Sequence, residues 1–279
     1  MRRLHAKPSP EPAAGPRRGR AFTLLELLIV IGIMGMLAAA SLPAIRSLTS
    51  INKDASGQRQ ILDELALARQ RAINNRQTVY LLFVPPTVGR QFSVLQRTRG
   101  LSPREKQRQL IQLTNLFAQQ YVAYAQFSRR TVGDQPGQGH PRYLSDWQAL
   151  PEGLLFTTNK FVELDRRAWE QVSAGVPVAF RPLPYGWFPF PAANSPLMRL
   201  PYIAFDPQGR IHYDDDWKPV RPGEVISVSR GSIFYARDAR GQISLASGPD
   251  IVLTPPTNRV DIEINWLTGR ARVQKVEMP

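Results

Sequence analysis

The chain of 279 residues contains no cysteine and only three histidines, His5, His140 and His212. Without cysteine it has no disulfide framework, no thiolate metal site and no cysteine nucleophile. Three scattered histidines also argue against a multi-histidine metal site. The sequence further lacks a Walker A loop, a Gly-x-Ser-x-Gly elbow, a His-Glu-x-x-His pair and a dinucleotide fingerprint. We therefore expect no catalytic residue, no metal and no cofactor.

Acidic residues are too few to balance the basic ones, since 22 Asp and Glu stand against 36 Lys and Arg, a net charge of +14. Such an excess points to an anionic partner, a membrane surface or a basic segment that is later removed. The composition, 43% hydrophobic and 21% charged, is otherwise globular. It excludes collagen-like and wholly disordered chains.

Much of the positive charge lies in residues 1–21, which carry six basic side chains and one acidic one. This segment is rich in proline and has neither helical nor strand periodicity, so by itself it should be disordered. Its removal would lower the net charge from +14 to +9. A large part of the positive charge that would suggest nucleic-acid binding therefore belongs to a leader.

Residues 22–45 form an apolar run with a single ionisable side chain, Glu26. At about 1.5 Å per residue, a helix of this length spans roughly 36 Å, more than a bilayer core of about 30 Å. A cleaved secretory signal has a shorter apolar region, and a buried core helix is the remaining alternative. The run predicts a transmembrane helix, and the basic flank predicts a cytoplasmic N-terminus.

The segment that joins the leader to this run, residues 20–31, reads RAFTLLELLIVI. It resembles the class III signal of type IV prepilins and type II secretion pseudopilins. The resemblance implies that a prepilin peptidase cuts between Ala21 and Phe22 and then N-methylates Phe22. It also implies an assembly role for Glu26 and a helix kink at Pro43. Two features depart from the family pattern: Ala21 stands where glycine is usual, and the leader is long.

Glu26 has a role that its chemistry alone suggests. A carboxylate in hydrocarbon is costly and needs a partner. Cleavage would create an ammonium group on Phe22, one helical turn from Glu26. The two groups would pair within one chain, or Glu26 would pair with the amine of a neighbouring subunit, as the resemblance implies. An unpaired glutamate at the bilayer interface is the alternative.

The helical pattern continues through residues 46–76, where Ile61, Leu65, Ala68 and Ala72 form one apolar stripe. This amphipathic continuation should lie on a globular domain. Residues 65–79 are similar to the passage from helix to strand in the GspH/FimT group of minor pseudopilins and minor pilins.

Residues 77–279 should form a β-rich globular domain. Short β-like runs separated by turn residues predict strands at 79–84, 92–96, 154–158, 176–180, 202–206, 225–229, 232–236, 251–254, 260–266 and 271–276. The predicted fold class is α+β: a long N-terminal helix, membrane-spanning in its first half, packed on an antiparallel β-sheet or sandwich, with an inserted helix.

Residues 90–200 look like an insertion in this domain. The capping box of Ser102 and Glu105, with Pro103 at the first helical position, predicts a helix from Pro103 to about residue 128. Residues 181–201 combine prolines with aromatic side chains. We interpret them as an extended loop, with a docking surface for another subunit or a secreted protein as the alternative.

Two charged clusters are candidate sites. Residues 90–142 carry nine basic against two acidic side chains, and Arg129 and Arg130 are the candidate phosphate contacts. A solvated basic face or an acidic protein partner is the simpler interpretation. His212 with the acidic run 214–216 suggests a cation site, although a solvated acidic turn is favoured because the ligand spacing is wrong.

These observations favour a non-enzymatic subunit: a minor pseudopilin of a type II secretion pseudopilus, or of a related type IV pilus-like filament, that supports protein secretion. The expected partners are a prepilin peptidase, other pseudopilins or pilins, inner-membrane lipid and secreted protein substrates. The chain would cross the bacterial inner membrane once, with its C-terminal domain in the periplasm, and would be extracted into the filament. A DNA-binding minor pilin of a DNA-uptake filament is the alternative, ahead of a membrane-anchored periplasmic enzyme.

Overall fold

The computed structural model describes residues 23–130, 133–134, 139–214, 223–238, 241, 243–244, 248–253 and 259–274, without the side chains of 40–52 and 173. The chain divides into two compact units, Met1–Ser50 and Ile51–Pro279. The predicted leader, with the cleavage site at Ala21 and Phe22, lies outside the described residues.

Helix α1 spans Leu24–Asn75. In the first unit, every described side chain from 23 to 39 is exposed. Pro43 lies within α1, but its side chain is outside those described, so the kink there stays a prediction. Among the described parts of the chain, no helix is long and apolar enough to cross a membrane.

In the second unit, α1 presents its apolar stripe to the sheets. Ile61, Leu65, Ala68 and Ala72 are all completely buried, as the helical spacing predicted. Polar side chains beside the stripe also bind the sheet: Gln60 Nε2 donates to the Tyr124 hydroxyl over 2.7 Å. The amphipathic half of the helix is therefore an integral part of the globular body.

The first sheet is centred on β1, Val79–Phe83, which is buried along its whole length. All pairings in this sheet are antiparallel. On one side of β1 lies β2 (Ala123–Ser128), which also pairs with β3 (Arg142–Tyr143) and β4 (Gln148–Ala149). On the other side of β1 lies β7 (Leu197–Phe205), which also pairs with β6 (Tyr185–Pro189) and β8 (Ile211–His212).

The second sheet is built on β9, Gly223–Phe234, a long strand where two separate strands were predicted. It is also antiparallel and contains β5 (Leu154–Phe156), β10 (Asp250–Leu253), β11 (Val260–Asn265) and β12 (Ala271–Gln274) in addition to β9. Aromatic side chains join the two sheets: the Phe83 and Phe156 rings meet edge to face, with centroids 5.1 Å apart. The predicted α+β class with antiparallel sheets is confirmed.

The inserted helix is present but shorter than predicted. Helix α3 begins at Pro103, and the Ser102 side chain accepts a hydrogen bond from the Glu105 amide, as the capping box requires. It ends at Phe117, where residue 128 was expected. The left-handed backbone of Tyr121, with φ of 63°, follows, and the chain then enters β2.

Three other local predictions were wrong. Residues 92–96 belong to helix α2, Arg90–Arg97, because Gln91 and Leu95 are buried one turn apart. Residues 176–180, predicted as a strand, instead contain a short 3₁₀ turn, Val178–Phe180. This turn follows helix α4, Arg166–Gly175. The range 181–201 contains a β-hairpin made by β6 and β7, where a loop was predicted.

Candidate functional site

The start of α1 is the first candidate site, because the predicted processing signal ends there. Thr23 caps the helix: its hydroxyl accepts a hydrogen bond from the Glu26 amide over 3.2 Å. Thr23 and Glu26 thus have the spacing of a capping box, a signature visible in the sequence that our sequence interpretation did not use. The Glu26 carboxylate lies in the first helical turn, where the helix dipole favours negative charge.

The apolar side chains that follow Glu26 are uncovered within this unit. Met36 is 77% exposed, and the other large apolar side chains from Leu27 to Leu37 are also exposed. A contiguous apolar surface of this kind marks a site of contact with lipid or protein. The described part of this unit therefore presents an association surface immediately after Glu26.

A second candidate site lies at one edge of the first sheet, around Asp214. The Arg129 guanidinium is 2.9 Å from the Asp214 carboxylate, and its central carbon lies 5.2 Å and 5.1 Å from the ring centres of Tyr80 and Phe188. Arg129 is therefore held by an ion pair and by two aromatic faces. It is less free to contact phosphate than the sequence suggested.

Asp214 is the centre of this cluster. Its carboxylate accepts a hydrogen bond from the Tyr80 hydroxyl at 2.9 Å and lies 3.4 Å from His212 Nε2. Burial disfavours its charged form, but the hydrogen bond from His212 and the charge of Arg129 outweigh this and lower the pKa of Asp214. The hydrogen bond to Asp214 in turn raises the pKa of His212.

The suggested cation site is not supported by this geometry. Asp214 is bound by cationic and hydroxyl groups, and Asp215 and Asp216 lie outside the described residues. Within the described ranges no group of His, Asp and Glu side chains could hold a metal ion.

Arg130 differs from Arg129, because its exposed side chain makes no ion pair with any residue that the structure describes. It lines a cavity of about 240 Å³ together with Arg76, Gln77, Tyr80, Ser128 and Arg129. Arg76 and Gln77 were not identified from the sequence. They reach this place because β1, which follows them, pairs antiparallel with β2, which precedes Arg130.

Comparison with protein families bears on the first candidate site. Residues 16–42 match the family model of the prokaryotic N-terminal methylation motif. Comparisons with curated proteins and with solved structures found no match. The motif implies processing by a prepilin peptidase and assembly with other pilins, and it suggests membrane anchoring through the N-terminal helix. It indicates a structural subunit rather than an enzyme. The chain therefore carries a type IV pilin-like prepilin signal at its N-terminus.

Proposed function

We propose that the chain is a minor pseudopilin, a structural subunit of a type II secretion pseudopilus or of a related type IV pilus-like filament. The methylation motif at residues 16–42 is the observation that carries the proposal. Prepilin peptidase cuts between Ala21 and Phe22 and methylates the new amine, and the filament then incorporates the mature chain. The similarity of residues 65–79 to the GspH/FimT group supports a minor subunit.

In this proposal residues 22–45 anchor the chain in the inner membrane before assembly. Their apolar sequence supports an anchor, as does the exposure of the described side chains that follow Glu26. The leader stays in the cytoplasm and the β-rich body lies in the periplasm. During assembly the same apolar surface exchanges lipid for neighbouring subunits, while Glu26 pairs with a terminal amine.

Deletion of the gene in its host tests which filament the chain serves. We expect extracellular levels of secreted proteins to fall, while surface piliation and uptake of DNA stay unchanged. Complementation with the wild-type gene should restore secretion, and a version truncated before the body should not. Normal secretion in the deletion strain would contradict the assignment to a secretion machine.

DNA uptake is the second candidate function, and the exposed cations Arg76 and Arg130 are the observation that favours it. If they contact phosphates, affinity for duplex DNA should fall steeply as salt rises, and Arg130→Gln should flatten that dependence. Under the secretion proposal we expect only weak, non-specific binding. Tight binding near physiological salt, together with lost DNA uptake in the deletion strain, would reverse the ranking.

A further inference from the structure

The cavity beside Arg130 combines exposed positive charge with a buried, unpaired amide. Arg76 and Arg130 form no ion pair with the residues described, while Arg129 shares its charge with Asp214. The cavity wall thus carries three guanidinium groups, and the carboxylate that pairs with Arg129 is not among its lining residues. An anion would balance this excess.

Arg76 occupies its position at a conformational cost. It ends α1 in the left-handed region, with φ of 51°. The hydrogen bonds from Arg76 N to Ile73 O and from Gln77 N to Ala72 O complete a Schellman motif, in which this position is usually glycine. The helix end itself does not need an arginine there, so the strain points to a role for the side chain.

Gln77 supplies an independent observation. Its side chain is only 7% exposed, and neither Nε2 nor Oε1 has a hydrogen-bond partner among the described residues. Buried polar groups nearly always have hydrogen-bond partners. The Gln77 amide, whose NH₂ group has no acceptor and whose oxygen has no donor among the described residues, therefore calls for an explanation. A group that both accepts and donates hydrogen bonds would satisfy the amide.

We propose that this cavity binds a phosphate group. Guanidinium forks match phosphate oxygens in geometry, and a dianion neutralises the two unpaired arginines. A monohydrogen phosphate also offers acceptor oxygens to Gln77 Nε2 and a hydroxyl donor to Oε1. Arg129 stays paired with Asp214 and held against the rings of Tyr80 and Phe188, so Arg76 and Arg130 are the arginines that would bind the phosphate. The site does not depend on the assignment of the chain to a secretion filament, although Arg76 and Arg130 are also the cations that favour the DNA-uptake alternative.

Calorimetric titration of the purified full chain with inorganic phosphate, against chloride at equal ionic strength, tests the proposal. We expect one saturable site whose affinity falls at least tenfold in Arg76→Gly and in Arg130→Gln. Arg97→Gln, which removes an exposed arginine on α2 outside the cavity, should bind like the wild type. Absence of saturable binding, or an equal loss in Arg97→Gln, would overturn the proposal.

A competition experiment identifies the source of the phosphate. A short DNA duplex with 5′-phosphates is compared with the same duplex lacking them. If only the phosphorylated duplex displaces inorganic phosphate, the site takes a terminal phosphate of nucleic acid. If neither duplex displaces it, the site takes free phosphate. If both displace it equally, the cavity is only part of a diffuse basic surface, and the proposal of a discrete site is wrong.

Discussion

The Lys160 ammonium group lies 2.8 Å from the Glu224 carboxylate, and both side chains are only 1% exposed. Each member of the pair makes a further hydrogen bond. Lys160 Nζ donates to Val178 O, and Glu224 Oε2 accepts from the Tyr213 hydroxyl over 2.7 Å. This buried network ties β9 to the segments on either side of α4 and so stabilises the body.

Breaking the pair on one side should strongly destabilise the protein. Lys160→Met or Glu224→Leu leaves an uncompensated buried charge, and we expect a loss of about 3–5 kcal/mol in the free energy of unfolding. The double variant Lys160→Met/Glu224→Leu should lose clearly less than the sum. Urea unfolding followed by tryptophan fluorescence measures all three. Additive losses would contradict a coupled pair.

The pair of His212 and Asp214 should make stability depend on pH. Because the pKa of His212 is raised in the folded state, its contribution is complete below about 6.5, the value for an unfolded histidine, and is lost as pH rises through the folded value. Because the pKa of Asp214 is lowered, its contribution is present above about 4 and is lost as pH falls through the folded value.

The measurement compares wild type with His212→Gln by urea unfolding at about pH 6 and about pH 8. The wild type should lose more stability than the variant as the pH rises. The difference should stay below about 1 kcal/mol, because His212 is 44% exposed and solvent screens the interaction. Identical changes in both proteins would show that the pair does not stabilise the fold.

Arg76→Gly should weaken phosphate binding without lowering the stability of the fold. Glycine adopts the left-handed backbone of this position without steric cost, so the free energy of unfolding should be unchanged or rise by up to about 1 kcal/mol. Arg76→Val, a β-branched residue at the same φ, is the matched control and should lower it. Thermal unfolding measures both. A clear loss of stability in Arg76→Gly would mean that the arginine side chain supports the helix end.

The sequence correctly predicted elements that pack against a single neighbouring surface, because such packing leaves a regular spacing of apolar residues. The stripe from Ile61 to Ala72 repeats every three or four residues, since only that face of α1 meets the sheets. The strand after Arg76 was likewise visible as a short apolar run. The prepilin signal was recognisable because its residues are contiguous and their spacing is fixed.

Strand β2 escaped prediction for a physical reason. It is buried along its whole length, so it shows no alternation, and Tyr121 and Tyr124 continue the helical spacing of α3. The left-handed turn at Tyr121 that separates the two elements is not evident from the residue type. Because β2 was assigned to a helix, its pairing with β1 was hidden, and so was the approach of Arg130 to Arg76.

The buried ion pair of Lys160 and Glu224 could not be predicted from the sequence, for a different reason. Lys160 and Glu224 are 64 residues apart, and each looks like an ordinary surface residue in its own segment. Only the packing of the second sheet brings them together. Long-range polar contacts of this kind require the tertiary structure.

Glu26→Ala should abolish assembly and leave membrane association intact. The helix cap survives this change, because the Thr23 hydroxyl binds the Glu26 backbone amide and not the carboxylate. Thr23→Ala is therefore the matched control, since it weakens the cap by about 1 kcal/mol but keeps the charge. Cysteine cross-linking to neighbouring subunits and membrane fractionation measure the two properties. Normal cross-linking of Glu26→Ala would refute the ion-pair role.

The central claim is that the chain is processed as a prepilin. Intact-mass measurement of the full chain, co-expressed with an active prepilin peptidase, tests it most directly, with an inactive peptidase as the control. We predict the loss of residues 1–21 and a mature chain that begins at Phe22 and carries one added methyl group. A mature N-terminus at any other residue, or the same cleavage with the inactive peptidase, would contradict the claim.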